Sequence, residues 1–327
     1  MFKLVGKNSE FLLARLKSWR LSDGNGIEGD SLSLTINSDD IDGIPPKGEK
    51  YSVYLGEVLR DEFQISKRSI SLHPREVVLV LSVAPFSIKD ETGYRERKSM
   101  SWDNTTLAQI VADNVAPHGF QAFVHPRLQK IEIEHIDRTD ESTPSFLYRL
   151  AKQYDAVAKP IDGRFIFAPK GEARSASGKD IETVTLSQPS GNNPKLPNFT
   201  NVSIDLDGRT DVTGVKAFYL STEDGTRQEV RKGKAPFKSI GKDRNSQQEA
   251  EQACASELRR MQREGRKLSI EAPPNPAVFA EGLLILDSSF PGAFQGTCSI
   301  DSVSFSGQGL QPRRMSIKAT LTGEYND

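Results

Sequence analysis

IDRTDESTPSFLYRLA, residues 136–151, carries the strongest structural signal in the sequence. It passes from an acidic, polar segment into a run with apolar residues at helical spacing. Thr143 suits the N-cap position, and Pro144 suits the first helical position, where its missing N–H is not needed. We therefore predict a helix from there to about Tyr154. Its buried stripe is predicted to contain Phe146, Leu147, Leu150, Ala151 and Tyr154.

The residues on either side of this stretch predict a small α/β domain over residues 98–172. After Trp102, a helix is indicated by the spacing of Leu107, Ile110, Val111 and Val115, and Pro117 with Gly119 ends it. Further along the chain, Asp162-Gly163 lies between two short apolar runs and predicts a hairpin turn.

Period-two alternation dominates outside this domain and predicts strands. It is clearest in Leu32, Leu34 and Ile36, and again in Val202, Ile204 and Leu206. The predicted fold is mainly β with an α+β insertion. Two tube-like antiparallel β-barrel domains, residues 1–97 and 199–327, flank the α/β domain, and the second contains one long helix from about residue 247 to 265. The Gly-, Ser- and Pro-containing stretch 173–198 is predicted to be a linker.

Charge and composition exclude several classes of function. The chain has 43 basic and 44 acidic residues, and this balance argues against a protein that binds nucleic acid by neutralising phosphates. No apolar run approaches the roughly 20 residues of a membrane span, and the N-terminus lacks a signal-peptide pattern. We expect that the chain does not insert into a membrane and that it assembles in the cytoplasm. Cys254 and Cys298 are predicted to be unpaired thiols.

The sequence contains no recognisable catalytic or cofactor motif. It lacks G-x-S-x-G, a P-loop and a dinucleotide fingerprint, and its four histidines have no metal-ligand spacing, so no cofactor or metal is predicted. One cluster, Asp137, Asp140 and Glu141, has two interpretations. A glycosidase needs two carboxylates at a fixed gap, whereas acidic residues before a helix also stabilise its positive end. We favour the structural interpretation.

The segment 136–151, together with DAVAKP (155–160) and GRFIF (163–167), resembles the central signature of the late control protein D family of phages. Two further segments resemble the family and occur in the same order along the chain. They are RKSMSW (97–102) and the Pro46-x-Gly48 segment that leads to Val53-x-Leu55-Gly56. The signature residues, for which we expect a structural role, are Trp102, Asp137, Asp140, Glu141, Phe146, Leu147, Leu150 and Gly163.

The resemblance implies a structural baseplate hub of a contractile phage tail or tail-like particle. It implies a homotrimer that adapts the sixfold tail tube to the threefold spike, and not an enzyme. The implied partners are the spike, tail tube, tape-measure and baseplate wedge proteins, with no specific nucleic-acid binding, and the spike is expected to be a separate chain. The runner-up function is a peptidoglycan-degrading tail enzyme that uses residues 137–141. A DNA-binding regulator is disfavoured, because the net charge is close to zero and the sequence has no recognisable helix-turn-helix.

A polar strand face is the remaining candidate for a functional surface. Because Val202, Ile204 and Leu206 are predicted to face the core, Ser203, Asp205 and Asp207 point outward. Unpaired carboxylates are costly inside a dry subunit contact, so we expect this face to line the lumen or an exposed rim of the ring.

Overall fold

The computed structural model describes residues 1–24, 30–40, 43–83, 92–161, 163–170, 183–188, 201–205, 213–221, 225–264, 267–280 and 282–322. Within these residues the protein is mainly β, with a smaller helical content, as the sequence predicts. In this part of the chain, no helix is both long and apolar enough to cross a membrane.

The described residues between 2 and 82 form six strands and one short helix. In β3 the alternating Leu32, Leu34 and Ile36 are buried while the residues between them are partly exposed, so the predicted pattern is confirmed. The elements are β1 (Phe2–Gly6), α1 (Ser9–Ala14), β2 (Leu16–Gly24), β3 (Ser31–Asn37), β4 (Lys50–Leu55), β5 (Val58–Leu72) and β6 (Arg75–Ser82).

Residues 98–169 form an α/β unit with a hydrophobic core of its own. The predicted hairpin at Gly163 is confirmed, since this residue has a positive φ of 71° at the turn between the last two strands. The elements are β7 (Lys98–Thr106), α2 (Leu107–Val115), β8 (Gln121–Val124), α3 (Pro126–Gln129), β9 (Glu132–Glu141), α4 (Thr143–Tyr154), β10 (Ala156–Ile161) and β11 (Arg164–Pro169).

The N-cap of α4 is Ser142, and the prediction of Thr143 as the cap is wrong by one residue. Ser142 has an extended backbone, and its hydroxyl accepts a hydrogen bond from the backbone N–H of Ser145. Thr143 is instead buried, with its hydroxyl 3.1 Å from Nε2 of His118.

The rest of the chain forms further strands and one long helix. A strand at Val184–Leu186 lies within the segment that the sequence predicts to be a linker. The elements are β12 (Val184–Leu186), β13 (Asn201–Asp205), β14 (Gly214–Leu220), β15 (Arg227–Gly233), β16 (Phe237–Ser239), α5 (Gln247–Glu264), β17 (Lys267–Ala272), β18 (Leu283–Leu286), β19 (Gly296–Gln308) and β20 (Gln311–Thr322).

One large sheet of twelve strands contains strands from both halves of the chain, that is, from the parts before and after the α/β unit. Its order is β1-β4-β5-β6-β3-β2-β19-β20-β17-β13, and β12 and β18 attach through β19. The halves join where β2 pairs antiparallel with β19, from Gly24 opposite Ser302 to Ser18 opposite Gln308. A single core buries side chains from both halves, including Trp19, Leu79, Phe305 and Ile317.

The predicted arrangement of two separate tube-like barrels is therefore not confirmed. The predicted domain boundaries stay predictions. A smaller sheet, β15-β14-β16, packs against α5 through Val215, Ala217, Ala250 and Cys254. The α/β unit contributes the remaining sheets, β10-β11-β8 and the β7-β9 ribbon.

Candidate functional site

The apolar signature residues pack together in the core of the α/β unit. Phe146, Leu147 and Leu150 lie on the inner face of α4 and are fully buried. The ring of Trp102 stacks on Phe146, with 5.3 Å between ring centroids, and its indole N–H donates to Asp113 over 3.0 Å. The packing of these residues is that of a hydrophobic core.

The acidic signature residues lie at the end of β9, immediately before α4. Asp137 accepts hydrogen bonds from Ser101 over 2.6 Å and from His135 over 3.1 Å, and the Ser101 hydroxyl is the largest cause of the lowered pKa of Asp137. The pKa of His135 is raised by hydrogen bonds to Asp103 and Asp137.

The other two carboxylates of this cluster are held by arginines. Glu141 receives the guanidinium of Arg149 with contacts of 2.8 to 3.1 Å, so both carboxylate oxygens are engaged. Asp140 accepts from Arg97 over 3.1 Å at an exposed position. The helix start itself is capped by Ser142, and these carboxylates instead connect β9 to β7, to α4 and to the segment before β7.

Glycoside hydrolysis requires two carboxyl groups that differ in pKa and in their access to substrate, and this cluster does not show that difference. A glycosidase keeps one carboxyl group protonated by raising its pKa, and its partner carboxylate must be open to the substrate or to water. Here the pKa of Asp137 is lowered, and Glu141 is occupied by Arg149. Burial also raises the pKa values of the free thiols Cys254 and Cys298, the latter to about 12, which opposes nucleophilic chemistry at both. Among the described residues, no group of three or more His, Cys, Asp or Glu side chains could hold a metal ion.

The least expected group of charged residues is buried where the two halves and the α/β unit meet. We call Asp23, Asp30, Arg60 and Lys159 the junction network. Arg60 on β5 donates to Asp23 on β2 over 2.9 Å, and the side chains are only 2% and 8% exposed. The same guanidinium donates to the backbone oxygens of Pro276 and Val278, at 3.0 and 2.8 Å.

The α/β unit joins this network through Lys159 on β10. Its ammonium group donates to the backbone oxygen of Gly24 over 3.2 Å and lies 3.5 Å from Asp23 and 3.9 Å from Asp30. Burial raises the pKa of Asp30 to about 6, against the opposing attraction of Lys159. Sequence analysis missed these residues because they are far apart in the chain and none belongs to a recognisable motif.

The predicted polar face of β13 is only partly described. Val202 and Ile204 are half-buried against the large core, and Ser203 and Asp205 are exposed on the opposite face. Asp205 lies opposite Lys267 in the strand pairing. Asp207 lies outside the described residues. The position of this face relative to a lumen stays a prediction.

Solved structures with the same fold are phage tail proteins and a secretion-system relative. The tail protein from Neisseria meningitidis MC58 superposes with a TM-score of 0.68 at 12% identity, covering 95% of this chain and 94% of its own. A component of the Escherichia coli type VI secretion system superposes with a TM-score of 0.58 at 12% identity, covering 99% of this chain and 78% of its own. The fold is therefore one shared by phage tail and type VI secretion proteins.

Sequence comparison adds a more specific relative. The chain is 30% identical over 216 residues to the probable baseplate hub protein of Escherichia phage P2. The match covers 64% of this chain and 53% of the phage protein, so the chain spans about half the length of this relative. No protein-family model matches the chain. The resemblance to phage baseplate hub proteins that the sequence predicts is thereby confirmed.

Proposed function

We propose that this protein is a structural hub subunit of the baseplate of a contractile phage tail or tail-like particle. The observation that carries the proposal is the sequence match to a phage baseplate hub protein, together with a phage-tail fold over nearly the whole chain. The junction network and the pairing of β2 with β19 support it, because they join three parts of the chain into one structure, as a structural subunit of an assembly requires.

In this proposal the hub is a homotrimer that adapts the sixfold tail tube to the threefold spike. Three copies, each with two β-rich halves, supply six β-rich units around a threefold axis. A closed ring of this kind needs two different, complementary surfaces on each copy. The partners are the spike, tail tube, tape-measure and baseplate wedge proteins, and the site of action is the baseplate of the particle, after assembly in the bacterial cytoplasm.

The exposed face of β13 is proposed to line the passage or its rim. Ser203 and Asp205 give this face a polar and partly acidic character. Such a wall repels nucleic-acid phosphates and does not hold them in transit. Replacing Asp205 by Lys is then expected to slow DNA ejection from assembled particles without preventing their assembly.

The test is coexpression with the spike and tail tube proteins of the same particle, followed by light scattering and electron microscopy. A hub trimer has a mass of about 109 kDa, three times the 36.2 kDa of one chain, before any spike is added. A monomer at all concentrations that also fails to bind spike and tube would contradict the proposal. Lysis of peptidoglycan that is lost in Asp137→Asn, with folding unchanged, would favour the enzyme instead.

A further inference from the structure

The α/β unit and the large sheet have separate hydrophobic cores, which share no side chain among the described residues. A cleft of about 540 Å³ also separates β9 and α4 of the unit from the segment that leads into α5. The junction network, in contrast, is a direct contact between the unit and the sheet, and its members are charged. Because parts of a protein with separate cores can open without global unfolding, this junction contributes to how firmly the unit is attached.

The face of β10 that meets the sheet carries Lys159. Side chains alternate along a strand, so Val157 lies on the same face as Lys159, and Ala168 lies opposite Val157 on β11. Both are buried, although neither belongs to the core of the unit, which takes Ala156 and Ala158 from the other face of β10. Opening of the junction should therefore expose Val157 to solvent and leave the core of the unit covered.

Two carboxylates of the junction network share the ammonium group of Lys159. Asp23 lies 3.5 Å from it and also accepts a charge-assisted hydrogen bond from Arg60 over 2.9 Å. Asp30 lies 3.9 Å from it, which is too long for a hydrogen bond, and accepts from the backbone N–H of Gly24 over 3.1 Å. A buried carboxylate is costly unless it is paired and hydrogen-bonded. The charge of Asp30 is therefore the less well compensated of the two.

The groups that face Asp30 come from four elements. Burial is the largest cause that raises the pKa of Asp30 to about 6. Lys159 on β10 and Arg60 on β5 oppose this rise, and the charge of Asp23 on β2 adds to it. On α4, burial and then the charge of Asp30 raise the pKa of Tyr148. Water reaches the carboxyl group of Asp30 when the junction opens, and its pKa then falls towards the ordinary value of 3.8.

We propose that the junction network is a proton-linked contact, and that the α/β unit separates from the large sheet with release of a proton from Asp30. The closed junction binds this proton more tightly than the open one, so opening becomes easier as the pH rises. A change of pKa from about 6 to 3.8 predicts that the equilibrium constant for opening increases about tenfold from pH 5 to pH 7. The proposal concerns the single chain and does not depend on its assembly.

The test measures how well a thiol on the junction face is protected from a reagent in the full chain. Val157→Cys introduces the thiol, and 4,4′-dithiodipyridine labels it at pH 5, 6 and 7, with the rate in the urea-unfolded chain at each pH as the reference. Ala168→Cys is the second position if Val157→Cys does not fold. Cys298 is the internal control, because it is buried in the large core and unfolding of that core is needed to expose it. Relative to these references, the introduced thiol should react at least about tenfold faster than Cys298.

The equilibrium constant for opening that this labelling reports should increase about tenfold from pH 5 to pH 7, and Asp30→Asn should abolish the increase because the amide does not titrate. Asp40→Asn is the matched control and should leave the increase unchanged, since Arg15 lowers the pKa of Asp40. Lys159→Met should move the increase to higher pH, because the cation that opposes protonation of Asp30 is lost. An introduced thiol that reacts no faster than Cys298, or an increase that persists in Asp30→Asn, would overturn the proposal.

Discussion

The junction network shows how single charged side chains join parts of the chain that are distant in sequence. Arg60 lies under the ring of Phe279, 3.6 Å from the ring centroid, and binds Asp23 and two backbone oxygens. Asp23 also accepts from the backbone N–H of Ala280 over 3.0 Å. Because buried charges are tolerated only when they are paired and hydrogen-bonded, removing Asp23 leaves Arg60 and Lys159 without the carboxylate that both contact.

We expect Asp23→Ala to lower the free energy of unfolding by about 3–5 kcal/mol, because it leaves Arg60 and Lys159 buried without their shared carboxylate. Urea denaturation at neutral pH measures this change. Asp40→Ala is the control, since the Asp40 side chain is 67% exposed in its pair with Arg15 and its loss should change stability little. Equal effects of the two substitutions would contradict a stabilising role for the network.

Asp30 should give the network a pH dependence of unusual sign. Its folded pKa is about 6, above its ordinary value of 3.8, so folding favours the protonated form. Stability from this group is greatest at low pH and falls as pH rises through about 6. The free energy of unfolding of Asp30→Asn, measured relative to wild type at the same pH, should therefore increase from pH 5 to pH 7. Asp40→Asn serves as control: Arg15 lowers the pKa of Asp40, so its contribution is constant over that range and is lost only at lower pH.

At the scale of elements, the junction between β9 and α4 shows how the signature segment is built. Ser142 follows β9 with an extended backbone and caps the helix, and Pro144 lies in the first turn. Asp155 ends the helix in the left-handed conformation, with φ of 53°. The acidic residues before the cap are paired with residues of neighbouring segments. The segment is therefore a strand-to-helix connection whose polar residues hold the surrounding chain.

Ser142→Ala should lower the free energy of unfolding of the α/β unit by about 0.5–2 kcal/mol, because the N–H of Ser145 loses its acceptor. Ser142→Gly should lie within about 0.5 kcal/mol of wild type, since glycine is tolerated at the N-cap. The near-ultraviolet signal of Trp102 during denaturation reports this unit. If alanine and glycine were equally costly, the hydroxyl would not be acting as the cap.

At the scale of the whole molecule, the described residues form two large hydrophobic cores, and the order of the sequence does not separate them. The large sheet draws one core from both halves, and the α/β unit inserted between them has its own. The two tryptophans of the sequence report them separately, because Trp19 lies in the first core and Trp102 in the second.

Phe305→Ala should therefore destabilise the region around Trp19, although the two residues come from opposite halves of the chain. The expected cost is about 3–5 kcal/mol for a fully buried phenylalanine. Fluorescence of a Trp102→Phe background follows Trp19, and a Trp19→Phe background follows Trp102. Leu150→Ala is the control, since it should first shift the transition seen by Trp102. If the transition that Trp19 reports were unchanged in Phe305→Ala, the two halves of the chain would not share a core.

Much of the local structure could be predicted from the sequence. The alternation in β3, the apolar stripe of α4 and the turn at Gly163 all appear as expected. These features depend on periodicity, capping and turn chemistry, which act over a few residues. The family signature could be recognised for the same reason, because it is a continuous segment with a defined strand-to-helix connection.

Tertiary structure alone decided how these elements combine. The pairing of β2 with β19, the strand β12 within the predicted linker, and the contacts of Arg60 and Lys159 join residues that are 37 to 290 positions apart. Period-two alternation shows that a strand has a buried face, but it does not identify the neighbouring strand. A buried charge finds its partner through the packing of the whole chain, and one sequence contains no signal for that choice.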